Sequence, residues 1–281
     1  MLDSACGAEK DSAFMGRVER RGFWIWIFVA IIKPLSLLIT RRRWSGRENV
    51  PRTGGVIFAA NHVSYVDPVS MAHFVYWCRR IPRFMAKSEL FTVRVLGRML
   101  RGAGQIPVYR RSTSAGDALR DAVTALEAGR AVVIYPEGTI TQDPDHWPMV
   151  ARTGVARLAL LTGAPVVPVA QWGAHEILGR DKKVRLLPRR VIATAVGQPV
   201  DLSAFRDDQL TAPVLRAATE VIMDRVREQL GVIRGEDPPD VAWNPRTAQR
   251  EGAKEVPPEL VVPDQPVDDF RDPPIPDRTT A

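Results

Sequence analysis

Three short apolar runs constrain the fold of this chain more than any other feature. They are Val56-Ile57-Phe58-Ala59-Ala60, Ala131-Val132-Val133-Ile134-Tyr135 and Val166-Val167-Pro168-Val169-Ala170. Each is short, rich in β-branched residues and reads as a buried strand. Helical spacing fills the intervals. Residues 69–77 follow the first run, and residues 112–129 precede the second, with Ala118, Leu119, Ala122, Val123 and Leu126 on one side and Gly129 at the end. Residues 91–100 and 152–161 read as two more helices, and residues 213–230 as the last strong one, closed by Gly231. Shorter runs at 105–108, 184–187 and 191–196 read as further strands, the last two as a hairpin. Strands alternating with helices imply an α/β fold, a single domain whose mixed, largely parallel sheet is flanked by helices.

With 281 residues and 45% hydrophobic content, the chain has enough apolar material for a sizeable core. Its net charge of +7 is unevenly spread. Residues 235–281 carry 11 Asp/Glu against 5 Lys/Arg, a net of −6, which leaves +13 on the residues before them. The same stretch is rich in proline and poor in apolar clusters, so residues 234–281 read as an extended tail that cannot offset its chain entropy by burial. The basic body suits anionic lipid head groups or a phosphorylated substrate. It has no helix-turn-helix, zinc-finger or aromatic RNA-binding signature, so nucleic acid is not an expected partner. Cys6 and Cys78 fit no disulfide framework or metal spacing and suggest a reducing compartment. His73, His146 and His175 have no carboxylate or cysteine at ligand spacing, so no metal is expected.

Residues 1–44 have a different character. The first sixteen lack the apolar core and cleavage pattern of a secretory signal. After Arg17-Val18-Glu19-Arg20-Arg21 comes an apolar run over 23–32, then Lys33-Pro34, a shorter run over 35–39, and Arg41-Arg42-Arg43-Trp44. A ten-residue helix covers about 15 Å, against about 30 Å of hydrocarbon core. Lys33-Pro34 is expected to break the run, and arginines on both flanks conflict with the charge bias of a spanning helix. A broken hairpin embedded at the interface keeps both clusters on one anionic surface. A tilted span and an ordinary buried helix are the alternatives. The expected organisation is a membrane-associating element over 1–44 at the cytoplasmic face of the cell membrane, an α/β body over 45–233 and the tail.

The chemistry gathers where the first two strands end. Asn61-His62-Val63-Ser64-Tyr65-Val66-Asp67-Pro68 leaves the first and enters a helix. An imidazole at a strand exit and a carboxylate five residues later can meet. The carboxylate would fix the tautomer, leaving the other ring nitrogen to act as a base. Asp67 before Pro68 also suits a helix N-cap, and Ser64 suits a capping role. The second strand ends in Tyr135-Pro136-Glu137-Gly138-Thr139. There is no Gly-x-Ser-x-Gly elbow, and neither cysteine has a histidine partner in sequence context, which disfavours a covalent acyl-enzyme.

Asn-His-x-Ser-x-x-Asp, followed some seventy residues later by Tyr-Pro-Glu-Gly-Thr, resembles the glycerolipid acyltransferase family, whose best-known members are the 1-acylglycerol-3-phosphate (lysophosphatidic acid) O-acyltransferases. Gly104-Gln105-Ile106-Pro107-Val108-Tyr109-Arg110 and the strand centred on Pro168 resemble two further family blocks, in the right order. The likeness covers roughly residues 45–200. It implies a mixed α/β fold and transfer of a fatty acyl group from acyl-CoA or acyl-carrier protein, with no cofactor, to the free hydroxyl of a lysophospholipid. Membrane lipids are then partners. It further implies His62 and Asp67 as the catalytic pair, and Lys87, Arg110, Glu137, Gly138 and Thr139 as acceptor-binding residues. Oxyanion donors are expected from backbone amides near Gly138-Thr139 or the His62 loop. The family usually continues Glu-Gly-Thr with Arg-Ser, whereas this chain has Ile140-Thr141. Arg152 or Arg111 could supply the missing cation, or the acceptor could differ. A lipid hydrolase or transacylase using the same base, and a non-catalytic lipid-binding protein, are the alternative readings.

Overall fold

The computed structural model describes residues 22–108, 115–206 and 208–250. Seven strands form one sheet in the order β1 (Thr40–Ser45), β7 (Arg190–Val196), β6 (Val166–Trp172), β2 (Val56–Ala60), β5 (Ala131–Ile134), β3 (Pro82–Lys87) and β4 (Ile106–Val108). All neighbours run parallel except β6 and β7. The helices are α1 (Phe23–Ile39), α2 (Asp67–Trp77), α3 (Arg94–Gly102), α4 (Ala115–Glu127), α5 (Gly154–Thr162) and α6 (Ala212–Arg234).

β2 is the central strand, and all five of its residues are fully buried. Side chains alternate across a strand. Val56, Phe58 and Ala60 therefore pack with Met71, Phe74 and Val75 of α2 on one face. Ile57 and Ala59 face Leu126, Leu158 and Ile222, contributed by α4, α5 and α6, on the other. A strand covered on both sides has no use for a polar position, which is why its sequence reads as a continuous apolar run. Truncating Phe58 to alanine would cost about 3–5 kcal/mol. Ala59 lies opposite Ile134 of β5 and Pro168 of β6. The residues after β2 and β5 thus emerge side by side at the carboxyl end of the sheet, where open α/β folds form their crevices.

Four expectations need correction. The apolar run before the body is one helix, continuous through Pro34, rather than a hairpin broken at Lys33-Pro34. Proline gives up one backbone bond, but the turn that follows is well tied. Thr40 bonds the Ser36 carbonyl through both its amide and its hydroxyl, the latter at 2.6 Å, and Arg189 Nη2 donates to the carbonyls of Leu37 (2.7 Å) and Thr40 (2.8 Å). At about 1.5 Å per residue the helix is about 25 Å long, and among the described residues no helix is long and apolar enough to cross a membrane. It lies against the body: Ile25 is buried with Ile81 and Ala103, and the Trp24 indole sits where a Gly102 side chain would be. The Arg17–Arg21 cluster lies outside the described residues.

The second correction is that Arg41-Arg42-Arg43-Trp44 belongs to the sheet. It is the edge strand β1, paired parallel with β7, so the body begins at Thr40 rather than residue 45. Third, residues 184–187 form no strand beyond a single bridge between Leu178 and Val184. Fourth, the tail does not leave the body at residue 234. Gly235 ends α6 with a left-handed turn, and a short hairpin, β8 (Trp243–Asn244) with β9 (Gln249–Arg250), folds back so that Trp243 bridges Met149. Arg250 meets the fully buried Asp143 at 2.8 Å. The remaining tail lies outside the described residues.

Candidate active site

His62 leaves β2 and turns back onto the start of α2. Its Nδ1 lies 2.8 Å from Asp67 Oδ2, and the same oxygen accepts from the backbone amides of Val63 (2.6 Å) and Ser64 (2.7 Å). Three donors on one completely buried carboxylate oxygen fix the loop, and a carboxylate on Nδ1 leaves Nε2 as the basic atom. Asp67 is the first residue of the helix rather than its cap; Val66 holds the cap position without a side-chain bond. Ser64 does not cap the helix in the ordinary way either. Its hydroxyl accepts from the Val66 amide at 3.0 Å and faces the carbonyls of Ala174 (2.9 Å) and Leu178 (2.7 Å), tying the loop to the segment after β6. Asn61, three residues earlier, ties the loop to β6 itself, exchanging two bonds with the Gln171 backbone at 2.7 and 3.0 Å.

The Tyr-Pro-Glu-Gly-Thr turn supports the histidine from the neighbouring strand. Tyr135 stacks on the His62 ring with centroids 4.3 Å apart and planes inclined by 24°. Glu137 is buried, accepting from the His62 amide at 3.0 Å through one oxygen and from the Met149 amide at 2.9 Å through the other. Burial pushes its carboxyl up to about 8 although both amide bonds pull the other way. This corrects the expectation that Glu137 binds the acceptor: both oxygens are occupied by backbone amides, and the residue does not line the cleft. The Thr141 amide closes the arrangement by donating to the His62 carbonyl at 2.7 Å.

His62 opens onto a cleft of about 1120 Å³. One wall is apolar and includes Phe28 and Val29 of α1, so the N-terminal helix helps to build the site. Among the described residues the cations that line the cleft are Lys33, Lys87, Arg152 and Arg157. Lys87 is exposed at the end of β3 and lines the cleft. Arg152 lies beside the turn glycine: a Cβ on Gly138, whose φ is +73°, would stand 3.1 Å from its Nε. Among the described residues Lys87, Arg152 and Arg157 have no carboxylate partner. Gly138, Thr139 and Ile140 line the same wall. The amides of Thr139 and Ile140 make no hydrogen bond among the described residues, whereas the Gly138 amide donates to the Tyr135 carbonyl at 2.9 Å. Arg110 and Arg111 lie outside the described residues. His73, at the cleft wall, bonds Ser36 of α1 at 3.0 Å, and burial and the Arg42 charge hold its imidazole down to about 4, so it stays neutral.

The acyltransferase family model matches residues 41–172. A 1-acyl-sn-glycerol-3-phosphate acyltransferase of Borreliella burgdorferi is 31% identical over 132 residues, 47% of this chain and 51% of the relative, so the chain aligns with about half the length of that protein. The enzyme of the same name from Bacillus subtilis is 26% identical over 187 residues, 65% of this chain and 84% of the relative. The crystal structure of the 1-acyl-sn-glycerophosphate (LPA) acyltransferase PlsC from Thermotoga maritima shares the fold, with a TM-score of 0.54 and 23% identity over 79% of this chain and 88% of that one.

Proposed function

We propose that this protein, whose residues 41–172 match the acyltransferase family model, is an O-acyltransferase that moves a fatty acyl group from a thioester to the hydroxyl of a lysophospholipid, 1-acylglycerol-3-phosphate above all, giving phosphatidic acid. The donor is acyl-CoA or acyl-carrier protein. The observation that carries the reading is the placement of the His62–Asp67 pair at the mouth of a largely apolar cleft that also holds Lys87, Arg152 and Arg157. An acyl chain needs the apolar wall, a phosphate needs the cations, and an alcohol at neutral pH needs the base.

The step follows from those positions. His62 Nε2 takes the proton of the acceptor hydroxyl as its oxygen attacks the thioester carbonyl, and Asp67, on Nδ1, stabilises the imidazolium. The negative charge on the former carbonyl oxygen falls to the amides of Thr139 and Ile140. When the intermediate collapses the C–S bond breaks, the thiolate leaves, and the imidazolium returns the proton to it. Arg152 takes the place of the arginine missing at Ile140 and holds the acceptor's phosphate with Lys87 and, outside the described residues, Arg110. The exposed apolar side chains of α1, among them Phe23, Trp26 and Leu38, rest in the cytoplasmic leaflet beside the cleft, so that a lipid acceptor reaches the base without leaving the membrane. The test is thioester release with purified protein and a panel of lysophospholipids and polyol phosphates. Turnover that depends on a phosphorylated lyso-lipid supports the reading. Turnover with water alone as acceptor would make the protein a hydrolase instead.

A further inference from the structure

Beside the cleft, at the far side of His73 and sharing no lining residue with it, β1 and the segment before β7 enclose a second recess of about 350 Å³. Its walls bring together Arg41, Arg42, Arg189, Trp44 and Trp77. Among the described residues none of these three arginines meets a carboxylate, while the next residue, Arg190, takes Glu176 at 3.2 Å. Arg189 is anchored through Nη2 on the Leu37 and Thr40 carbonyls, so its position is set by the end of α1. Arg42 lies 5.1 Å from the Trp44 ring centre and 3.4 Å from His73 Nε2. Burial and the neighbouring Arg189 charge both disfavour the Arg42 cation. Arg42 and Arg189, near enough for their charges to act on each other and without a carboxylate among the described residues, suit the planar, multidentate recognition of phosphate.

The chain next to the lining residues Leu37 and Arg189 carries exposed apolar side chains. Leu38 is 71% exposed at the end of α1, and Leu187, two residues before Arg189, is 82% exposed. Val184 and Leu186 of the same segment are also exposed, preceded by Lys182 and Lys183 and separated by Arg185, which pairs with Asp181. A soluble anion would fill the recess and leave these side chains in water. An amphiphile with an anionic head would satisfy both, and so would the bilayer around it. We propose that the Arg41–Arg42–Arg189 recess binds the phosphate of an anionic phospholipid that is not turned over, and that it docks this edge of the sheet, with Leu38 and Leu187, onto the membrane. The proposal rests on the reading of the chain as an enzyme of membrane lipids, and it adds a second attachment beside α1.

The experiment is flotation of the full chain with two kinds of vesicle, phosphatidylcholine alone and phosphatidylcholine containing phosphatidylglycerol. An arginine at an anionic surface is worth about fivefold in partitioning, so Arg41→Gln/Arg42→Gln should lose about 30-fold on the phosphatidylglycerol vesicles and nothing on the neutral ones. The charge-matched control, Arg130→Gln/Arg216→Gln, removes two exposed arginines elsewhere and should keep wild-type partitioning. Equal losses in the two double variants would reduce the effect to overall charge and overturn the site, as would no loss in either. Inorganic phosphate should displace the protein no better than chloride at matched ionic strength; a specific displacement would assign the recess to a soluble phosphate and sink the lipid. Thermal melts check folding. If the double variant fails to fold, the exposed Arg41→Gln alone must still lose about fivefold. Thioester release with a soluble short-chain acceptor should be unchanged in Arg41→Gln/Arg42→Gln. Its absence in the wild type would overturn the acyl-transfer reading without touching the flotation result.

Discussion

Replacing Asp67 with asparagine separates the geometry of the catalytic loop from its charge. An asparagine whose carbonyl oxygen occupies the Oδ2 position still accepts from His62 Nδ1, Val63 and Ser64, now at 2.8, 2.6 and 2.7 Å, so the histidine stays in place. What disappears is the negative charge beside the imidazolium that forms in the transition state. With charge centres about 4 Å apart and an effective dielectric constant of about 20, that interaction is worth about 4 kcal/mol. This corresponds to about 10³-fold in rate, and the asparagine dipole retains part of it, so a loss of about 10²–10³-fold in kcat is expected. The amide group takes the position of Oδ1, a buried oxygen with no partner, and its unbonded N–H groups cost about 1–3 kcal/mol of stability. At about 2–4 °C per kcal/mol the variant should melt a few degrees lower and remain folded. The assay is acyl-CoA thioester release at saturating lyso-lipid, run beside a melting curve. A folded Asp67→Asn protein within about threefold of wild-type kcat would show that no positive charge develops on His62, and the base assignment would fall.

Three further changes probe the surroundings. Arg152→Ala should raise the KM for a phosphorylated acceptor about 10- to 100-fold, the worth of one charge-assisted contact, and leave kcat nearly unchanged; an unaltered KM removes Arg152 from the site. Glu137 binds its proton more tightly folded, at about 8, than at its ordinary 4.5, so its contribution to stability falls as the pH rises between those values and is level above about 8. The melting temperature of wild type relative to Glu137→Gln should therefore decline over that window, and parallel melting curves across it would show the carboxyl to be ionised throughout. Arg250→Ala strands the fully buried Asp143 carboxylate; discounted for the 27% exposure of Arg250, the cost should be about 1–3 kcal/mol by denaturant unfolding, whereas an unchanged midpoint would mean the hairpin is not clasped there.

The parts of the structure that were legible in the sequence are those set by short-range pattern. The apolar runs that became β2, β5 and β6 could be read because burial on both faces leaves no polar residue in them, and His62 and Asp67 could be paired because five residues of loop bring them together. β1 was hidden because Thr40-Arg41-Arg42-Arg43 has no apolar alternation; its pairing comes from β7, about 150 residues away, at an edge where one side stays wet. The continuity of α1 through Pro34 depends on Arg189, equally remote. Glu137 was misassigned because its two partners, the amides of His62 and Met149, come from opposite sides in sequence and meet only through the register of β2 with β5. Tyr135 stood in the quoted motif, but stacking on His62 is a consequence of that same register. Nothing in the sequence around Arg152 ties it to the motif, because its position beside Gly138 is set by the return of the chain after that turn. Trp243 was masked by the proline-rich, acidic composition of the segment around it, which outweighed one well-placed aromatic residue.

The central claim is that His62 is the base for acyl transfer to a lysophospholipid hydroxyl. Single-turnover thioester release by His62→Ala, with acyl-CoA and 1-acylglycerol-3-phosphate both saturating, tests it most directly. A folded variant that still binds both substrates and is slower by about 10²–10⁴-fold is the predicted result. Near-normal turnover in that variant would contradict it.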